Sequence, residues 1–360
     1  MDSEKNNCKK TVIITLGIVL LLYFIFISRD ILLPFVIAMT IAYMLDPVVD
    51  RLEKWKIPRA ISIILLIFIL VSLLVLLCII VFPLIRMQVD HLIENTPMYI
   101  ERTKEMVLPV LDRIAKSHSE KAQKILEEGL KRFSSLPLTI LTSATSFLFG
   151  ALSSLVNILI VVINLLIIPV ATFYLLKDFD RIKEAVKGYL PASSKETITE
   201  KIKEIDTVLG AFIRGQFTVS LILAVIYCIG LYLINAPLGI LIGIIAGLAN
   251  IVPYLGLVVG LAPALILVFL QFRDINHLIM VLALFGAAQM LEGLFITPRI
   301  VGDKVGLHPV AIMIAILIGA KFFGFIGILL AVPVSAVLKV FVDTGLAQYK
   351  NSDFFKRAEK

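Results

Sequence analysis

The stretch Leu238–Phe272, LGILIGIIAGLANIVPYLGLVVGLAPALILVFLQF, is apolar from end to end yet broken at its centre by Asn250-Ile251-Val252-Pro253-Tyr254-Leu255-Gly256. As one straight helix it would measure roughly 50 Å at about 1.5 Å per residue, against a hydrocarbon core of about 30 Å. It must therefore kink, tilt or double back. Pro253 has no N–H and clashes with the turn before it, so carbonyls near Ala249 and Asn250 lose helical partners, and the side chains of Asn250 and Tyr254 are polar enough to help replace them. Non-helical backbone at membrane depth is tolerated only where protein or a water-filled cavity surrounds it. A broken apolar segment is thus either a packing kink or part of a transport path.

The rest of the chain agrees with a membrane setting. Hydrophobic residues make up 59% of the 360 and charged residues only 17%, which excludes an ordinary water-soluble domain. Apolar runs fall at 11–27, 31–45, 60–82, 147–176, 208–235, 238–272, 277–297 and 309–341. Such unbroken runs exclude a β-barrel, whose strands are short and alternating. The expected fold is an all-α polytopic integral membrane protein with about eight hydrophobic segments, the sixth and eighth discontinuous or re-entrant. These two are similarly long, each is interrupted near its middle, and each has a proline in its second half, Pro263 and Pro333, as an internal repeat would.

The net charge of +7 comes from Lys and Arg lying mainly between apolar runs, so it sets orientation in the bilayer and does not indicate nucleic acid. Counting positive charges places residues 1–10, the 46–59 loop and the 177–207 linker in the cytoplasm, and 342–360 returns there. The 83–146 region falls outside, where its nearly balanced charges and helical spacing of apolar residues fit an extracytoplasmic amphipathic arm. Membrane segments 1–3 occupy 11–82, segment 4 occupies 147–176, and segments 5–8, over 208–341, form the expected transport core. Asp46-Pro47 is expected to end the second segment, with Pro34 in its first turn. Ser193 and Glu196 have capping-box spacing, opening an amphipathic helix along the inner membrane surface. Past residue 235 two topologies remain: if 238–272 and 309–341 each span once, Arg273 faces inside; if both are hairpins, it faces outside.

Polar residues inside apolar runs are costly and so mark candidates. Gln289 and Glu292 share a helical face, Arg214 and Gln216 open the fifth segment, Lys321 interrupts the eighth, and Asn157 and Asn164 share a face of the fourth. Glu292 and Lys321 are expected to line a polar path or to pair as ions, and Arg214 fits either a functional role or a snorkel at the cytoplasmic end. Asn250, Pro253, Tyr254 and Gly256 complete the candidate path. Gly239, Gly243 and Gly247 recur every fourth residue, and Gly256 and Gly260 continue the spacing, which lets a neighbouring backbone come close.

Signatures of enzymes are missing: there is no Walker A sequence, no GxSxG and no HExxH. Neither a metal nor a cofactor is expected, because the four histidines are dispersed, Cys8, Cys78 and Cys228 stand far apart, and His91 with Glu94 reads as a solvated pair. Transport would then draw on an ion gradient, the membrane potential or the solute's own gradient.

The chain resembles the autoinducer-2 exporter family, also called PerM-like permeases. The resemblance rests on Arg29, Leu33-Pro34-Phe35, Ala42-Tyr43, Asp46-Pro47 and Pro58-Arg59, then Arg214-Gly215-Gln216 and Pro253-Tyr254-Leu255-Gly256. Its most specific part is Glu292-Gly293, Pro298-Arg299-Ile300-Val301-Gly302, Gly306-Leu307-His308-Pro309, Gly324 with Gly327, and Val332-Pro333. It implies eight membrane segments, export of autoinducer-2 or exchange of sodium for protons, and homo-oligomers including pentamers. The chain departs from the family pattern at Leu257 and Leu294, where Pro and Asn are frequent. The leading expectation is a bacterial inner-membrane secondary transporter that moves a small polar solute outward. The alternatives are a sodium/proton antiporter with Glu292 as the competing carboxylate, and a non-transporting scaffold presenting the 83–146 arm to a partner.

Overall fold

The computed structural model describes residues 26–115, 155–189, 195–301 and 306–351, with positions 17, 20 and 24 upstream. The first apolar run up to residue 25, the arm beyond Ala115, the capping box at 193 and the last nine residues therefore lie largely or wholly outside the described residues. Every regular element among the described residues is helical: α1 Arg29–Lys54, α2 Arg59–Ala115, α3 Leu155–Gly188, α4 Lys195–Leu233, α5 Gly239–Ala249, α6 Leu255–Phe272 and α7 Ile275–Leu291. A π-helical turn, Glu292–Ile296, prolongs α7 into the short α8 Thr297–Ile300, and α9 covers Pro309–Asn351. Six of the described helices are long and apolar enough to cross a membrane, so the all-α polytopic class holds.

Several boundaries differ from the sequence expectation, and in each case the helix runs further. α2 continues through residue 83 without a break, so the third segment and the described part of the arm are one 57-residue helix. α4 likewise joins the amphipathic 198–205 stretch to the fifth segment in one 39-residue helix, which replaces the separate surface helix expected there. α1 passes through Pro47 to Lys54, and Pro34 falls beyond its first turn. Pro47 cannot donate to the carbonyl four residues back, that of Tyr43. Arg214 donates to that carbonyl instead, Nη1 to O at 3.2 Å, so the helix can continue.

By internal contacts the chain divides into two units. In the first, residues 1–67, 164–215 and 301–360, a core of Ala42, Val49, Ile63 and Leu176 joins α1, α2 and α3. Arg59 ties the same three helices: Nε donates to the Leu176 carbonyl at 3.0 Å, Nη2 pairs with Asp46 at 3.2 Å, and Nη1 reaches Asp180, Glu53 and Asp50. α9 packs against α1 and is broken at Gly324, where φ is 59° and ψ −136°. Gly319 and Gly327 meet backbone to backbone across that break. Residues eight apart in a straight helix would be about 12 Å apart along its axis, so the eighth segment doubles back.

In the second unit, residues 68–163 and 216–300, α5 and α6 also fold back on each other. A Cβ on Gly260 would lie 2.5 Å from the Ala246 Cβ, so the two arms touch across the 250–254 turn. Tyr254, at φ 68°, makes the reversal, and Pro253 sits in the turn outside both helices. The far ends of the hairpin meet the same helix. Gln88 of α2 accepts from the Ile240 N–H at 3.2 Å, and Arg102 of α2 donates to the carbonyls of Leu270 and Gln271. The sixth segment is thus folded as two arms packed on each other, not as one continuous helix. At about 16 Å, the 11-residue α5 is too short to cross a core of about 30 Å in any case. Asp274 then caps α7, its carboxylate accepting from the His277 N–H at 3.2 Å.

Candidate transport site

The second unit gathers a chain of buried polar groups around the tip of the α5–α6 hairpin. At the tip α4 supplies side-chain donors to two backbone carbonyls, that of Gly247, which the Asn250 N–H also reaches at 3.1 Å, and that of Asn250. Ser220 Oγ donates to the Gly247 carbonyl at 2.6 Å, and Gln216 Nε2 donates to the Asn250 carbonyl at 2.5 Å. The glycine ladder makes this reach possible. A Cβ on Gly243 would fall 2.5 Å from the Cys228 backbone nitrogen, and one on Gly247 would run into Ala224, so α5 lies directly on α4. On the other side, Gly256 leaves room for the Asn250 side chain, whose Cβ would sit 2.9 Å from a Cβ at that position.

With its carbonyl held by Gln216, Asn250 points its amide at α7. Nδ2 donates to Glu292 Oε1 at 2.8 Å, and Gln289 Nε2 donates to Glu292 Oε2 at 3.0 Å. Glu292 is 7% exposed and Asn250 1%. Glu292 opens the π turn, a local widening common where a helix carries function. Both carboxylate oxygens receive neutral amide donors, and among the described residues no Lys, Arg or His forms an ion pair with Glu292.

Two residues that sequence reasoning passed over belong to the same cluster: Ser220, already placed on the Gly247 carbonyl, and Tyr227. Tyr227 is fully buried and stacks on Phe285 of α7 at 4.6 Å between ring centroids. Its hydroxyl and Gln289 Oε1 are buried without a hydrogen-bond partner among the described residues. The signal was present in the sequence: Gln216, Ser220 and Tyr227 recur at helical spacing along one face of α4.

Of the expected site residues, the structure therefore brings together Asn250, Gly256, Gln289, Glu292 and Gln216, with Pro253 and the half-buried Tyr254 forming the turn beside them. Arg214 belongs to the first unit, where it completes the Pro47 gap of α1. Lys321 also belongs there, exposed three residues before the Gly324 reversal and in no ion pair among the described residues. The side chains of Asn157 and Asn164 lie outside the described residues.

Comparison with known proteins gives this arrangement a family. The family described as AI-2E family transporter matches residues 13–347. The chain belongs to that family. It is 32% identical to YueF and 31% to YrrI, both of Bacillus subtilis (strain 168) and both named for transport, over 89% and 87% of this chain and 85% and 86% of theirs. It is also 24% identical to the AI-2 transport protein TqsA of Escherichia coli (strain K12), over 91% of this chain and 90% of TqsA. This AI-2E family member is thus a multi-pass membrane transporter, with the bilayer and a small solute as its partners.

Proposed function

We propose that this AI-2E family member exports a small polar solute such as autoinducer-2 across a bacterial inner membrane by secondary transport, with both termini in the cytoplasm. The solute passes the tip of the α5–α6 hairpin and the Gln289/Glu292 face of α7. The observation that carries this reading is Glu292, a buried carboxylate held, among the described residues, by Asn250 and Gln289 where a broken segment meets a π turn. The relative TqsA, named for AI-2 transport, supports the choice of solute. In this reading 208–341 forms the transport core, and a homo-oligomer such as a pentamer fits the family resemblance. The test is flux of labelled autoinducer-2 into liposomes carrying the purified protein, beside Glu292→Gln. The variant should insert and assemble yet lose saturable flux; full activity removes Glu292 from the mechanism.

A second reading, sodium/proton exchange, draws on a different feature of the same cluster. Gln289 Oε1 and the Tyr227 hydroxyl are buried without a partner among the described residues, and Gln289 bonds the Glu292 carboxylate, a group for which a proton or a sodium ion can compete. A sodium-driven pH change in loaded vesicles that is independent of autoinducer-2 would favour it.

A further inference from the structure

An apolar groove of about 460 Å³ runs between α1 and α3 in the first unit. Phe35 of α1 forms one wall, and Ile167, Val170, Ala171 and Tyr174 of α3 form the other. Among the described residues lining it, Asp178 alone carries a charge. We propose that this groove binds a phospholipid with a primary-amine headgroup, its ammonium against Asp178 and an acyl chain along α3.

The groove is built into the packing of the two helices. Thr172 Oγ1 donates to the Ala38 carbonyl at 3.4 Å, and Tyr43 meets Phe179 edge to face at 5.2 Å between ring centroids. Ala38, Thr172 and Phe179 are buried, which fixes the spacing of α1 and α3, while Phe35, Val170 and Tyr174 stay exposed along the groove. The position of Asp178 sets the level of the site. The apolar run of α3 ends at Leu176, and Lys177, Asp178, Asp180 and Arg181 follow at once, so Asp178 stands where hydrocarbon gives way to headgroups. From Asp178 back to Ile167 is roughly 16 Å along the helix, about the hydrocarbon depth of one leaflet.

The charges select the headgroup. Asp180 is answered by Arg59, whereas half-buried Asp178 forms no ion pair among the described residues. Arg181, three residues on and so on the same side of the helix, is likewise in no ion pair among them, and Lys177 lies over the Phe173 ring at 5.8 Å. A carboxylate beside an apolar groove calls for a cation that carries its own apolar attachment. The ammonium of an amine lipid brings three N–H donors to Asp178 and leaves the phosphate to Arg181. A trimethylammonium headgroup keeps the charge but has no N–H to donate, and a headgroup without a cation sets its phosphate against the carboxylate.

This inference rests on the membrane class of the chain and not on the transporter reading. The experiment is native mass spectrometry of the purified full chain from micelles doped with equimolar phosphatidylethanolamine, phosphatidylcholine and phosphatidylglycerol. Phosphatidylethanolamine should be retained over each of the others by about five-fold, the effect of one charge-assisted contact at a partly solvated site. Asp178→Asn should remove that preference and Asp178→Glu should keep it. Glu184→Gln, exposed on α3 outside the groove, should leave it unchanged, and Ala171→Phe, which adds bulk to the wall, should lower retention of all three lipids. The comparison of headgroups on the unaltered chain depends on no variant assembling. Equal retention of the three lipids, a preference that survives Asp178→Asn, or its loss in Glu184→Gln overturns the proposal. So does a lipid-free dimer that Ala171→Phe abolishes, which would give the groove to a second copy of the chain.

Discussion

The contact between α4 and α5 gives a prediction whose size can be worked from distances. In Gly243→Ala the new Cβ would meet the Cys228 nitrogen at 2.5 Å, its Cα at 2.7 Å and its Sγ at 2.8 Å. Carbon atoms rest at about 3.5–4.0 Å, so α5 must retreat from α4 by about 1 Å, and the near atoms are backbone that cannot rotate away. Overpacking of this kind costs about 1–3 kcal/mol. The same retreat stretches the bonds from Ser220 to Gly247 and from Gln216 to Asn250, each worth about 0.5–1.5 kcal/mol net. Helix propensity returns about 1 kcal/mol, because Ala is better than Gly within a helix. The balance is a loss of about 3 kcal/mol, roughly a hundred-fold in the folded-to-unfolded ratio. Denaturant titration in mixed micelles, followed by helicity, measures it. Gly286→Ala is the control: that glycine is exposed and a Cβ placed on it would meet no atom within 4 Å, so the change should be neutral or stabilising. If Gly286→Ala costs as much as Gly243→Ala, close packing of α5 on α4 is not what the ladder provides.

Four further outcomes follow from other positions, all read by the same titration. Arg59→Gln should cost about 2–4 kcal/mol, since it strips Asp46 and the Leu176 carbonyl of a partner in a site where both Arg59 and Asp46 are less than 20% exposed. Asp50→Asn and Glu53→Gln, whose carboxylates are about half exposed, should each stay within about 0.5 kcal/mol. Tyr227→Phe should leave stability unchanged or about 1 kcal/mol higher, because the hydroxyl it removes is buried without a partner among the described residues, while Tyr227→Leu should lose the stack on Phe285. Gly324→Ala should cost about 1–3 kcal/mol through backbone strain alone, and Gly324→Leu no more than that, because the space around the position is open.

What the sequence made legible was what depends on local composition. Apolar runs identified the membrane class, the four-residue glycine spacing marked a face for close packing, and Gln289 with Glu292 could be paired because they stand three apart on one helix. What depended on distant partners was not legible. A proline that removes an N–H is compatible with a kink and with a reversal; only the approach of Gly260 to Ala246 decides between them. Pro47 reads as a stop until Arg214, whose donor lies 171 residues from the Tyr43 carbonyl it fills, is seen beside it. The carboxylate of Glu292 reads as a partner for Lys321 by charge, yet two amides hold it, and one of them is 42 residues away at the hairpin tip.

The two interrupted segments reverse direction by different means, and the difference bears on how each can move. The Gly324 reversal uses a backbone conformation that glycine adopts without strain, and the described structure gives that position open space. The 250–254 tip is held from two sides, by Gln216 and Ser220 of α4 and by Glu292 of α7. A displacement of that tip must break buried hydrogen bonds or carry α4 and α7 with it, and in a low-dielectric setting the first course is the costlier. Within the second unit the hairpin, α4 and the end of α7 should therefore move as one body. A change at Glu292, through proton, ion or solute, is then the perturbation placed to free the tip, because the carboxylate is the one ionisable group in that set of bonds.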